Sequence, residues 1–203
     1  GNTGCHIAAK DGNVYAIRTL IETLGIDPNA QNYINKNTAL HEAAASEEID
    51  ACVALVTLGA DPNLVNRDGD TPLHIAVRGG FEPIMDYLLT AANAKPSKVN
   101  LAGEAPLNIA IKKNAIQLVD SLIKANAQIA EHVHQLTPIV VAARCKSEAS
   151  LQHLIQKNTL PLTRLECFEI LRLISDNGVT ITCNEIFCWY HLTKLKQDKS
   201  YAA

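Results

Sequence analysis

Three histidines recur at one position of a repeated segment, and they are the first candidates for chemistry in this sequence. His6, His41 and His74 each stand three residues after a threonine. Imidazole is a common zinc ligand, so a row of histidines suggests a metal site. Packed helices lie about 10 Å apart, however, whereas zinc ligands lie about 2 Å from the ion. Histidines from successive helices could not share one ion, and we predict a structural role for them.

A second candidate site lies near the C-terminus, where Cys183, Cys188 and His191 occur close together. Cys188 and His191 are three residues apart and would share one face of a helix. A nucleophilic cysteine also needs an orienting third group and an oxyanion hole, and the sequence nominates neither. Because buried cysteine packs as a small hydrophobic residue, we predict packing roles and neither a catalytic nor a metal site. The six cysteines are Cys5, Cys52, Cys145, Cys167, Cys183 and Cys188, and we expect free thiols in a reducing compartment.

The histidines belong to a segment that recurs through most of the chain. Its clearest form is Thr71-Pro72-Leu73-His74-Ile75-Ala76-Val77. The threonine can cap a helix, and the proline suits the first helical position. Related segments begin at residues 3, 38, 105 and 137, at a spacing near 33 residues. In the last two, Asn108 and Val140 replace the histidine, which puts the hydrogen bonds of those turns in question but not their helices.

This pattern resembles the ankyrin repeat family, because a spacing near 33 residues with a T-P-L-H-x-A core is typical of that family. The resemblance covers residues 2–157 and implies an all-α ankyrin-repeat solenoid. Each repeat would be a helix-turn-helix followed by a projecting loop, and the motif histidine would bond the adjacent turn and link neighbouring loops. The predicted repeats are about 2–36, 37–69, 70–103, 104–135 and 136–157.

Apolar spacing and turn residues predict two short helices in each repeat. The predicted helices are 4–10 and 14–24, 39–45 and 49–58, 72–78 and 82–91, 106–113 and 115–125, and 138–146 and 148–157. Such helices are too short to be stable alone in water, so stacking must bury their apolar faces. In the third repeat we expect burial of Leu73, Ala76, Leu88 and Leu89.

The repeat spacing ends after residue 157, and we predict that 158–203 is a C-terminal helical capping segment. Its Leu160-Pro161, Ile170-Leu171 and Trp189 distantly resemble an F-box. An F-box would recruit a ubiquitin-ligase core and leave the repeats to choose the substrate. A helical cap is the simpler interpretation, because the end of a solenoid must be covered.

Composition and charge restrict the classes of function. A net charge of −3 argues against general nucleic-acid binding, which favours a strongly basic surface. We find no apolar run of about 18 residues and expect no membrane span. We also find no signal peptide, and predict a cytoplasmic monomer, in a host cytosol if the source is a pathogen. Gly1-Asn2-Thr3 begins inside a repeat motif. Two interpretations stay open: the chain is a piece of a longer protein, or its first repeat is an irregular cap.

Basic residues recur seven positions after the motif threonine or its equivalent. Four of the five positions are basic, namely Lys10, Arg78, Lys112 and Arg144, and Lys113 lies beside them. One interpretation is stabilisation of the helix dipole by cations near the C-termini of the first helices. The other is a cationic row on the concave face that attracts acidic side chains of a partner. Both interpretations follow from the same position and stay open at this point.

The resemblance implies a non-catalytic protein–protein interaction module without a cofactor or a metal. The partner would bind the concave face and the loop tips, where we expect Asn32, Tyr33, Arg67, Val99, Leu101 and His132. Tyrosine and arginine are frequent interface anchors. The predicted partner-binding residues are Lys10, Tyr33, Arg67, Arg78, Lys112, Lys113 and Arg144. The alternatives are the ubiquitin-ligase adaptor and the recognition part of a larger enzyme or effector.

Overall fold

A computed structural model of the chain describes residues 3–125, 138–145 and 147–157, and within these ranges the regular structure is helical. The predicted capping segment 158–203 and its F-box-like residues lie outside the described residues. The helices are α1 Gly4–Lys10, α2 Val14–Arg18 with a π-helical turn Thr19–Thr23, α3 Ala39–Ala45, α4 Ile49–Thr57, α5 Pro72–Gly79, α6 Glu82–Thr90, α7 Pro106–Lys112, α8 Ile116–Lys124, α9 Pro138–Arg144 and α10 Glu148–Lys157.

The observed helix bounds agree with those predicted from the sequence to within about two residues, and the helix type differs from the prediction in the first repeat. There the predicted α-helix 14–24 becomes π-helical from Thr19, and the amide of Leu24 donates to the carbonyl of Thr19 at 3.3 Å. A π-helical turn takes up one residue more than an α-helical turn. The second helix of this repeat is therefore one residue longer than α4 between its N-cap and the glycine that ends it.

The described residues form two compact units, the first of residues 3–110 and 117–125 and the second of residues 111–116, 138–145 and 147–157. In the first unit α3 packs between α1 and α5, and α4 packs between α2 and α6. The first helices thus form one layer and the second helices another. In the second unit α9 packs against α10.

The core of the third repeat is largely the one predicted. Leu73, Ala76 and Leu88 are completely buried. Leu89 was expected to be buried as well, but it is only half-buried. Neighbouring residues of an α-helix point about 100° apart, so Leu88 and Leu89 cannot both face the same core.

The motif histidines join successive repeats. Nε2 of His6, His41 and His74 lies 2.7, 2.9 and 3.1 Å from the carbonyl oxygens of Asn37, Asp70 and Glu104, respectively. Nδ1 of each ring accepts the backbone N–H of the preceding motif threonine at 3.1–3.3 Å. An amide only donates and a carbonyl only accepts, so each ring must be neutral with its proton on Nε2. The structural role predicted for these histidines is confirmed.

The row of histidine bonds does not continue into the fourth and fifth repeats. The buried Oδ1 of Asn108 has no hydrogen-bond partner among the described residues. Val140 is completely buried and carries no polar group. The first helices of these two repeats nevertheless form, as expected. They are α7 and α9, which begin at the predicted Pro106 and Pro138.

The turn between the paired helices has a left-handed residue in each of the first four repeats. This position is held by Gly12, Glu47, Gly80 and Asn114, with φ between 57° and 87°. Glycine adopts this conformation without strain. Asparagine tolerates it, and Oδ1 of Asn114 also accepts hydrogen bonds from the amide and hydroxyl of Ser150 at 2.8 and 2.9 Å. Glu47 is exposed, and nothing in the structure explains its presence here.

Replacing the strained glutamate should stabilise the fold. We expect Glu47→Gly to raise the free energy of unfolding by about 0.5–1 kcal/mol, because the left-handed conformation strains a residue with a Cβ atom. The matched control is Glu47→Gln, which removes the charge but keeps the strain. Urea unfolding of the three proteins measures the effect, and an equal gain from Glu47→Gln would assign it to charge instead.

The buried neutral histidines should make the fold sensitive to acid. Burial lowers the pKa of His41 to about 4 and also lowers the pKa of His74. An unfolded histidine has a pKa near 6.5, so between about pH 6.5 and 4 the unfolded chain binds a proton that native His41 does not. The contribution of these histidines to the free energy of unfolding should therefore be fully present above about pH 6.5. Below that pH it should decrease by up to about 1.4 kcal/mol per pH unit for each such histidine.

The control for this acid sensitivity is His41→Gln, whose side chain does not titrate. We expect this variant to be less stable than the parent at pH 7 but to lose less stability between pH 7 and pH 5. Urea unfolding at the two pH values makes the comparison. Equal losses in the two proteins would mean that His41 does not contribute to the acid sensitivity.

Candidate partner-binding surface

Buried asparagines hold the hairpin loops between repeats in shape. Asn32, Asn66 and Asn100 stand at equal spacing and are buried. Oδ1 of Asn66 accepts the amides of Asp68 and Asp70, both at 3.0 Å, and Oδ1 of Asn100 accepts two amides of its own loop. Asn32 was predicted at a loop tip, and this prediction is wrong. Its exposed fraction is 3%, because the short amide side chain turns inward to bond the loop backbone.

The tips of successive hairpins are bonded to each other through the backbone. The amide of Arg67 donates to the carbonyl of Asn35 at 2.8 Å, and the amide of Leu101 donates to the carbonyl of Asp68 at 2.9 Å. Gly69 permits this close approach, since it has a φ of 77° and a Cβ atom there would lie 2.7 Å from the nitrogen of Leu101. The tips are therefore held in a fixed row.

Large apolar side chains project from this row. Tyr33, Ile34 and Leu101 are 85%, 65% and 80% exposed, respectively. Arg67 stands between them, is exposed, and donates from Nη2 to the carbonyl of Tyr33 at 3.4 Å. The structure thus places Tyr33 and Arg67 at neighbouring tips, where the sequence predicted them. We define Tyr33, Ile34, Arg67 and Leu101 as the tip row.

Arg78 has a role that the sequence analysis missed. Its Nη1 and Nη2 lie 2.5 and 3.0 Å from the two carboxylate oxygens of Asp70, whose exposed fraction is 2%. Nδ2 of Asn100 donates to the same carboxylate at 2.8 Å. Burial acts to raise the pKa of Asp70, but the hydrogen bonds from Arg78 and Asn100 outweigh it and hold this pKa below its usual value. The same pair raises the pKa of Arg78, so Arg78 serves as counter-ion to a buried carboxylate.

The other basic positions are exposed at the ends of first helices. Lys10 ends α1, and α1 and α5 lie on either side of α3, so Lys10 and Arg78 belong to one layer of the first unit. Lys112, Lys113 and Arg144 are exposed in the second unit. The cationic row across all five residues stays a prediction.

The sequence analysis also missed two apolar residues of this region. Ile7, in the first-helix layer, is 53% exposed. Ile34 is exposed because the first hairpin has one residue more between its buried asparagine and the next motif threonine than the second hairpin has. Aligning the hairpins on the asparagines at 32, 66 and 100 would have shown this insertion.

The structure describes only some of the residues that the sequence offers for metal or nucleophile chemistry. Across residues 3–125, 138–145 and 147–157, no three His, Cys, Asp or Glu side chains are grouped as metal ligands would be. Cys5 and Cys52 are buried free thiols, and burial together with Glu48 raises the pKa of Cys52 to about 12. Cys183, Cys188 and His191 lie outside the described residues, as does His132. The described helices include none that is long and apolar enough to cross a membrane.

Known proteins share this arrangement. A family model described as ankyrin repeats in three copies matches residues 5–100. The Notch-regulated ankyrin repeat-containing protein of Xenopus laevis is 34% identical over 88 residues, which cover 41% of this chain and 75% of that protein. The Caenorhabditis elegans homolog of transient receptor potential cation channel subfamily A member 1 is 31% identical over 151 residues, or 73% of this chain and 11% of that protein.

A solved structure gives the same result. The crystal structure of the human ASB11 ankyrin repeat domain matches with a TM-score of 0.64 at 26% identity, and the match covers 89% of this chain and 86% of that chain. With the repeats and their histidine bonds, these similarities support the fold class predicted from the motif. The chain belongs to the ankyrin repeat family, and its fold is an all-α ankyrin solenoid.

Proposed function

We propose that this chain is a non-catalytic module that binds a partner protein through the tip row and the adjoining ends of the first helices. Ankyrin repeats are generally protein–protein interaction modules. The observation that carries the proposal is the tip row, in which exposed apolar side chains stand on a backbone fixed by hydrogen bonds. A preformed backbone loses little conformational entropy on binding, and tyrosine and arginine are frequent energetic anchors.

Charge supports a partner with acidic side chains. Lys10 and Arg78 stand in the first-helix layer, and Lys112, Lys113 and Arg144 add exposed cations in the second unit. Exposed cations raise the association rate of an acidic partner and make binding sensitive to salt. With a net charge of −3 for the whole chain, we propose a protein partner rather than nucleic acid. A monomer in the cytoplasm is part of the same proposal.

The two alternative functions concern regions outside the described residues. The F-box resemblance of the tail is not shown by the family comparisons, and those comparisons indicate no enzymatic part. Co-purification of a ubiquitin-ligase core with the chain would favour the adaptor. An adjacent catalytic domain in the open reading frame would favour the larger enzyme or effector.

The anchors of the tip row can be tested by truncation. We expect Tyr33→Ala combined with Ile34→Ala to weaken partner binding at least about tenfold, because these side chains supply the apolar contact. The melting temperature should not change, since both side chains are largely exposed. The matched control is Tyr15→Ala, which removes an 81% exposed tyrosine from a second helix.

Isothermal titration against a partner identified by cross-linking to this chain makes the measurement. The Tyr15→Ala variant should bind like the parent. Full-strength binding by the Tyr33→Ala/Ile34→Ala variant would remove the tip row from the binding site.

The cationic row needs a variant that leaves the buried pair intact. Arg78→Glu would leave the buried carboxylate of Asp70 without its counter-ion and would place a second carboxylate beside it. A loss of binding could then follow from a loss of structure. We expect Lys10→Glu to slow association with the partner and to reduce its salt dependence, without changing the melting temperature. The dipole interpretation predicts the reverse, a modest loss of stability with unchanged binding. Binding kinetics at two salt concentrations and a thermal melt decide between them.

A further inference from the structure

The residue that follows each motif histidine lies on the surface of the first-helix layer. In the first three repeats these residues are Ile7, Glu42 and Ile75, which we define as the inner row. Ile7 is 53% exposed, and Glu42 and Ile75 are partly exposed, although the residues on either side of each are buried. Because α3 packs between α1 and α5, Glu42 stands between the two isoleucines, about 10 Å from each. One carboxylate thus interrupts an apolar row.

The carboxylate of Glu42 is held in place by the hairpin that precedes its helix. Its Oε1 accepts hydrogen bonds from Nδ2 of Asn37 at 2.9 Å and from Nδ2 of Asn32 at 3.4 Å. Both asparagines are buried, and their hairpin carries Tyr33 and Ile34 at its tip. Glu42 therefore lies at the base of the hairpin that contributes half of the tip row.

The charge of Glu42 is not balanced within the described part of the chain. The two amides that bond it are neutral, and Glu42 forms no ion pair with any described residue. One turn further along α3, on the same helix face, stands the exposed Ala45. The corresponding residues of the neighbouring repeats are Lys10 and Arg78. The second repeat is thus where the row of cations is interrupted and a carboxylate reaches the surface.

We propose that Glu42 binds a basic side chain of the partner protein. The aliphatic part of a lysine or arginine would lie on Ile7 and Ile75, and its cationic group would bind Oε2 of Glu42. Long basic side chains combine an apolar stem with a charged group that bonds strongly to carboxylates. The inference rests on the proposed function and specifies it: the partner has a basic residue at the centre of the site and acidic residues towards Lys10 and Arg78.

Other occupants of the inner row fit the observations less well. An acidic side chain would be repelled by Glu42. A purely apolar segment would cover Ile7 and Ile75, but it would also take the carboxylate out of water without a counter-ion, which is costly. Support of the hairpin alone does not require an acid at this position, because Ile75 occupies it in the third repeat, where Asn66 still bonds its own loop.

Random short peptides displayed on phage are the probe for this site. They are selected on the full chain, and synthetic copies are titrated against it by calorimetry. We expect a lysine or arginine to recur among them. Glu42→Gln should weaken their binding at least about tenfold, because a neutral hydrogen bond replaces a charged one. The melting temperature should not change, since Oε1 of the glutamine still accepts the amides of Asn32 and Asn37.

Two controls separate this contact from a general effect of charge. Glu47→Gln removes the same charge from an exposed turn of the same repeat, and this variant should bind the peptides like the parent. Norleucine in place of the recurring basic residue of a peptide should weaken its binding to the parent but not to the Glu42→Gln variant. This double-mutant cycle isolates the contact between the two side chains.

Three results would overturn the inference. They are selected peptides without a basic residue, equal affinity for the parent and the Glu42→Gln variant, and a Glu42→Gln variant that loses binding together with melting temperature. The last would assign Glu42 to support of the hairpin. The Tyr33→Ala/Ile34→Ala variant separates this failure from failure of the proposed function. Peptides that require those two residues but not Glu42 would leave the tip row as a binding site, whereas no selected peptide at all would contradict both.

Discussion

A neutral imidazole that bonds on both sides is the interaction on which the packing of the first three repeats depends. Nδ1 of each motif histidine holds the start of its own helix, and Nε2 holds the carbonyl just before the next repeat's first helix. A helix of seven or eight residues is too short to be stable alone, so its position must come from its neighbours. One buried ring fixes both the helix start and the distance to the next repeat.

The loops depend on the same constraint, because buried backbone groups must be bonded. No β-sheet satisfies them in the part of the chain described, so asparagine side chains and single bonds between tips do so instead. Once these groups are bonded inward, the tips are rigid and their side chains are free to point outward. The apolar residues of the tip row are thus a consequence of polar bonding beneath them.

The sequence predicted the helices and their turns, and it missed two polar contacts of the loops. The helices and the turns follow from a spacing near 33 residues and from apolar stripes, which are local patterns. The bonds made by the histidines follow from the resemblance to the ankyrin repeat family. The pairing of Arg78 with Asp70 was missed because the basic positions were compared with each other and not with the residue before each motif threonine, eight positions earlier. The burial of Asn32 was missed because a polar residue in a loop was assumed to face water. Its Oδ1 instead accepts the backbone amide of Asn35 in the same loop.

The π-helical turn of the first repeat shows how the array tolerates a change in length. The distance from Thr3 to Thr38 is 35 residues, and that from Thr38 to Thr71 is 33. One added residue lies in the hairpin tip and the other in the turn Thr19–Thr23. A residue inserted into a regular α-helix would rotate every later side chain by about 100° and move the apolar stripe off its neighbour. Widening a single turn absorbs that rotation locally, so repeats of unequal length can still share one stacking geometry.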